Sequence, residues 1–183
     1  MFWLSRRSFS SMALTFCLGW TSVFTLRAAE EPPLEYQVKA AFLMNFTKFV
    51  DWPPAVFEDE KSPLSVCIFG DDVFGGALDQ IVSGEAAHGR RLAVQRLPHG
   101  PVPKSCQVLF ISGVEKNASS ILADVGRDVL TVGEGDHFLH DGGMIAFVIE
   151  NRRVRFDISQ RATGNAGLRI SSKLLQVARN VEK

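Results

Sequence analysis

The alternation of apolar and polar positions divides the chain into strand-length and helix-length pieces. Leu64–Phe69 and Val108–Ile111 are short, wholly apolar runs, as strands covered on both faces require. Leu92–Leu97 alternates, and Val129–Val132 is a further short run. Met144–Ile149, a polar turn at Glu150-Asn151-Arg152, and Val154–Ile158 together predict a hairpin. Its second strand carries Val154, Phe156 and Ile158 on one face and Arg153, Arg155 and Asp157 on the other.

Helical spacing appears between these runs. Glu35–Val50 places Val38, Ala41, Phe42, Phe46 and Phe49 on one face with Asn45, and Leu43, Met44 and Val50 widen the stripe. The helix must stop at Asp51-Trp52-Pro53-Pro54, because proline lacks an amide hydrogen and disfavours helix in the residue before it. Val73–Val82 predicts a second helix, capped by Asp71 or Asp72, and Asn117–Val125 a third, capped by Asn117. A polar linker, Ser159–Gly167, is expected to deliver Arg169 to the start of a closing helix near Ile170, with Leu174, Leu175, Ala178 and Val181 inward. Strands alternating with helices, then a hairpin, predict one α/β domain. Its sheet is mixed: parallel first, antiparallel at the hairpin, flanked by helices and finished by the closing helix.

The first 29 residues read differently. Arg6 and Arg7 precede an apolar stretch, Met12–Leu26, too short for a comfortable membrane span. A signal peptide is expected over 1–29, with the domain over 30–183. Ser5-Arg6-Arg7-Ser8-Phe9 resembles a twin-arginine signal, an ordinary secretory signal fits equally, and an uncleaved anchor is the remaining alternative. Cys17 lacks the small residues of a lipoprotein site, so no lipidation is expected.

Removing that segment changes two balances. It holds three of the 20 basic residues and no acid, which leaves 17 basic against 20 acidic residues. A mildly acidic domain argues against nucleic acid and anionic lipid as partners. It also leaves two cysteines, Cys67 and Cys106. An even pair in an exported chain favours a disulfide, the alternative being two buried thiols.

Candidate chemistry is sparse. Gly70-Asp71-Asp72-Val73-Phe74-Gly75-Gly76 sits where a phosphate loop would, but lacks its lysine and puts carboxylates where the anion belongs. Asp136-His137-Phe138-Leu139-His140-Asp141 carries metal-ligand types at a spacing that fixes no geometry in a loop, so no metal is expected. No Gly-x-Ser-x-Gly occurs, and Ser171-Ser172-Lys173 more simply begins a helix. Arg169 beside a helix start opposes the helix dipole, which leaves it a surface salt bridge or an anion to hold. A binding or regulatory role without cofactor or catalytic residues is the expectation.

Three blocks in order resemble the YfiR family of periplasmic proteins. They are Lys39-Ala40-Ala41-Phe42-Leu43 through Trp52-Pro53, Cys67-Ile68-Phe69-Gly70-Asp71-Asp72 with Phe74-Gly75, and Gly142-Gly143 through Arg155-Phe156-Asp157-Ile158 to Ala166-Gly167-Leu168 and Ile170-Ser171-Ser172-Lys173-Leu174-Leu175. The resemblance implies a homodimer in the periplasm that contacts the periplasmic sensor region of an inner-membrane diguanylate cyclase and represses it, lowering cyclic di-GMP and biofilm formation. It implies a disulfide at Cys67 and Cys106, and a small-molecule site at the positions of Arg169 and Ser171, the latter a position that varies in the family. A second cysteine pair found near the hairpin in some members is missing here.

Overall fold

The wholly apolar runs form the middle of one sheet. The computed structural model describes residues 32–183, so the leader expected over 1–29, with Cys17, lies outside the described residues. In chain order the elements are α1 (Leu34–Phe49), β1 (Val50–Asp51), a 3-10 turn (Pro54–Val56), β2 (Leu64–Phe69), α2 (Gly76–Val82), β3 (Ala86–Ala87), β4 (Arg90–Leu97), β5 (Val108–Ile111), α3 (Ala118–Asp124), β6 (Leu130–Glu134), β7 (Ile145–Glu150), β8 (Arg153–Ser159), α4 (Gln160–Asn165), β9 (Arg169–Ile170), α5 (Ser172–Val177) and β10 (Asn180–Glu182).

The eight-stranded sheet runs β10-β8-β7-β6-β5-β2-β4-β3. β4, β2, β5, β6 and β7 are parallel, whereas β8 joins β7 antiparallel through the hairpin and β10 lies parallel to β8. The mixed α/β sheet with its C-terminal hairpin and helix is therefore the fold that the alternation predicts. The hairpin turn places Asn151 and Arg152 at φ 51° and 61°, the left-handed pair that matches strand twist.

Both faces of β2 and β5 are covered, so every residue in them is buried. On one face Val66, Ile68, Val108 and Phe110 pack with α1 and α2 in the larger core. There Phe46 stands 5.7 Å from Phe147 and 5.1 Å from Phe156, ring to ring. Burial of each such ring contributes about 1.5–3 kcal/mol. On the other face Cys67, Phe69, Cys106, Leu109 and Ile111 pack with Phe138 and Leu139 beneath α3. Cys67 and Cys106 are bonded there, with Cα atoms 6.0 Å apart and a sequence separation of 39.

Several elements differ from the reading by periodicity. The buried stripe of α1 is Lys39, Ala40, Leu43, Phe46 and Thr47, while Val38 is 37% exposed. The cause is Glu134, which waits on the sheet for Lys39 Nζ at 2.5 Å and draws that edge of the helix inward. The linker Ser159–Gly167 contains α4, begun by Ser159 Oγ accepting the Ala162 N–H at 3.3 Å. The closing helix ends at Val177, and Val181 belongs to β10 rather than to a helix face. Asp157, expected on an outward face, is buried because Arg179 grips it in a fork, Nε donating to Oδ1 at 2.8 Å and a second nitrogen to Oδ2.

Candidate functional site

The proline pair that ends α1 also creates the candidate site. Val50 leaves the helix in an extended conformation, and Val50–Asp51 forms a two-residue ribbon with β9: Val50 opposite Ile170, Asp51 opposite Arg169. Gly167 turns the chain toward this pairing at φ 83°, so close to Asp128 that a Cβ would stand 2.8 Å from Oδ1. Only glycine meets both demands. The Ser171 N–H then donates to Phe49 O at 2.9 Å and pins the end of the ribbon.

Directly opposed residues of an antiparallel pair project to the same face. Arg169, which is exposed, therefore shares a face with Asp51. Asp51 lines a cleft of about 220 Å³ with Trp52, Pro54, Phe57, His88 and Arg90. The cleft walls are held from behind. Trp52 Nε1 donates to Gln107 O at 3.2 Å, and His88 Nε2 lies 3.0 Å from Thr47 O, with Nδ1 3.8 Å from Asp51 Oδ1. The Arg90 guanidinium covers the Phe57 ring at 3.8 Å and donates to Asp59 O and Ser62 O. Carboxylate, guanidinium, imidazole and aromatic surface thus meet in one place, which suits recognition of a small polar molecule.

The two residues expected to bind a ligand have different surroundings. Arg169 has no carboxylate within ion-pair distance among the described residues. Ser171 is engaged locally: its Oγ caps α5 by accepting the Leu174 N–H at 3.3 Å. The structure brings Arg169 beside Asp51 and leaves Ser171 as a cap facing the helix.

The other sequence candidates resolve into structural roles. Asp72 Oδ1 accepts the Phe74 and Gly75 N–H groups, and its Oδ2 accepts from Arg96 Nε at 2.7 Å. It therefore shapes the turn before α2 and does not cap the helix, whose N-cap is Gly75. Arg96 also grips Asp79, whose carboxyl it holds below the usual range against a smaller effect of burial. Asn117 stands at the N-cap of α3 without a side-chain cap bond. His140 Nδ1 lies 3.6 Å from Asp141, and among the described residues no group of three or more His, Cys, Asp or Glu is placed to hold a metal ion.

A cluster that periodicity hid lies at the opposite end of the sheet. Lys39 Nζ meets both Glu134 and Glu35, Glu134 Oε2 accepts the Gly113 N–H at 2.6 Å, and the Lys39 ammonium lies 4.6 Å from the Tyr36 ring centre. Burial raises the Tyr36 hydroxyl above its ordinary pKa, with Glu134 adding to it. Burial works against the Lys39 charge, but the bonds to Glu134 and Glu35 outweigh it and hold its pKa above the usual lysine value. A lysine inside an otherwise apolar helical stripe is the only trace of this in the sequence.

No curated protein matches the sequence. Among solved structures, the crystal structure of a conserved domain protein from Vibrio cholerae O1 biovar El Tor str. N16961 shares the fold, with a TM-score of 0.53 at 8% identity, over 80% of this chain. This chain spans 60% of that protein's length. Among described residues no helix is long and apolar enough to cross a membrane. The YfiR/HmsC-like family model matches residues 36–179, from the residue that packs on Lys39 to the arginine that grips Asp157, and the chain belongs to that family.

Proposed function

We propose that this chain is a periplasmic regulatory protein that binds the sensor region of an inner-membrane diguanylate cyclase and represses it, lowering cyclic di-GMP and biofilm formation. Membership of the YfiR/HmsC-like family, a family of regulators rather than catalysts in the cyclic di-GMP context, carries this reading. The buried Cys67–Cys106 bond supports an oxidising compartment. The protein acts as a homodimer and takes no cofactor. Deleting it should raise cellular cyclic di-GMP, and the tagged protein should capture a membrane protein carrying a cyclase domain. Unchanged cyclic di-GMP in the deletion strain, under conditions where the protein is made, would sink the proposal.

The cleft beside Asp51 and Arg169 supports a second reading, a periplasmic small-molecule binding or accessory protein without a cyclase partner. A ligand-dependent thermal shift that Arg169→Ala abolishes, together with unchanged cyclic di-GMP on deletion, favours it over the first.

A further inference from the structure

A groove of about 370 Å³ lies where β6 and β7 begin and β8 ends, and it shares no residue with the cleft beside Asp51. Its lining holds Arg127, Arg161 and the exposed His140, and no carboxylate. Neither arginine is in an ion pair among the described residues, and His140 has only Asp141, 3.6 Å from its Nδ1.

The floor carries two unspent donors. Thr131 Oγ1 accepts the Met144 N–H at 3.1 Å, and Met144 O accepts the Ser159 N–H at 2.9 Å. Thr131 and Ser159 thus flank one residue from either side, and both line the groove. They are almost fully buried, at 2% and 3% exposure. Each hydroxyl already accepts a backbone N–H, that of Ser159 from Ala162, and among the described residues neither has an acceptor for its own hydrogen. A buried hydroxyl in that position calls for an acceptor from outside the chain.

The walls are fixed by bonds between loops. Arg127 donates through a terminal nitrogen to Asn165 O at 3.2 Å, which turns its guanidinium toward α4. The Asp128 N–H donates to Ala166 O at 3.0 Å and ties the same loop to the end of that helix. Arg161 stands in the first turn of α4, two residues past Ser159. Leu122, Val125 and Leu139 supply an apolar side to the groove.

Two guanidiniums and two free O–H groups around one space match a doubly charged head rich in acceptors. A carboxylate brings one charge and two oxygens, and would leave part of this set unmatched. A phosphate monoester brings about −1.5 to −2 at neutral pH and three terminal oxygens. We infer that this groove binds a small organic phosphate monoester. Its head sits between Arg127 and Arg161, accepting from the Thr131 and Ser159 hydroxyls, and its body lies along Leu122, Val125 and Leu139. The site is independent of Arg169 and of whether a cyclase is the partner.

The test is calorimetric titration of the mature exported protein with phenyl phosphate, inorganic phosphate and phenol at neutral pH and low salt, with amide NMR spectra at each end. Saturable binding of phenyl phosphate is expected, tighter than that of inorganic phosphate, with no binding of phenol, and with shifts of the Thr131, Ser159 and Ala162 amides. Arg161→Gln, at an exposed position, should keep the fold and weaken binding about tenfold or more. Arg169→Ala should leave the affinity unchanged. No saturable binding, or binding kept in Arg161→Gln and lost in Arg169→Ala, overturns the site. Equal affinity for inorganic phosphate overturns the assignment to an organic ester. None of these outcomes bears on the regulatory reading, which answers to the cyclic di-GMP measurement.

Discussion

Lys39 Nζ lies 2.5 Å from Glu134 Oε1, joining the first helix to the C-terminal end of β6 across 95 residues of sequence. Both side chains are largely buried, at 5% and 12% exposure, so each depends on the other. Removing one partner of a buried pair leaves a charge unmatched and costs about 3–5 kcal/mol. Lys39→Met should therefore destabilise by about 3 kcal/mol, the low end, because Glu134 keeps the Gly113 N–H. The double variant Lys39→Met with Glu134→Gln should lose less than the sum of the single variants. Chemical denaturation across the cycle checks both statements.

The same pair sets a pH dependence. The folded Lys39 pKa lies above its unfolded value. Its contribution is thus complete below the ordinary lysine pKa, about 10.4, and is lost as pH rises through the folded value. Unfolding free energy measured from neutral pH into that alkaline range should fall more steeply in the wild type than in Lys39→Met. Parallel curves would show that the pair does not couple to folding.

Phe138 fills a slot made by two glycines. A Cβ on Gly133 or Gly143 would overlap its ring, and one on Gly143 would also stand 2.7 Å from Phe138 O. Gly133→Ala should destabilise by about 1–3 kcal/mol through overpacking. Measured in a Phe138→Ala background, the cost of Gly133→Ala should shrink, because only the ring obstructs the new methyl. Gly143→Ala should not be rescued in this way, since the backbone carbonyl stays. Thermal melts of both glycine variants, with and without Phe138→Ala, distinguish ring from backbone.

The Cys67–Cys106 bond, between cysteines 39 apart in sequence, closes a loop inside the second core. Loop closure of that length contributes on the order of 4 kcal/mol in the chain-entropy model. Replacing both cysteines with serine should lower stability by an amount of that order. Peptide mass spectrometry of the native protein should find Cys67 and Cys106 unreactive to alkylation until reduction. Labelling of either without reductant would contradict the bonded state.

Arg169 and Ser171 should separate by assay. Ser171→Ala removes a helix cap and should cost about 1 kcal/mol in stability. Arg169→Ala, at an exposed position, should leave stability within about 0.5 kcal/mol and instead abolish any ligand-induced thermal shift. Loss of stability from Arg169→Ala with an intact ligand response would reverse these roles.

The sequence by itself determined the centre of the sheet, the hairpin, the breaks at Pro53-Pro54, and Cys67 and Cys106 as the cysteine pair. Each of these is local: a two-residue period, a missing amide hydrogen, or a count of thiols. Tertiary structure alone decided that Lys39 faces inward, that Asp157 is buried, that Arg169 stands opposite Asp51 in a two-residue ribbon, and that β4 keeps an open edge. Each depends on a partner distant in the chain (Glu134, Arg179, Asp51 and the short β3), and such a partner can outweigh the solvation preference that periodicity reads. Helix α4 belongs with these. Its residues read as a polar linker, because they carry too little apolar pattern to signal a helix without the Ser159 cap and the Ala166 and Leu168 packing that hold its ends.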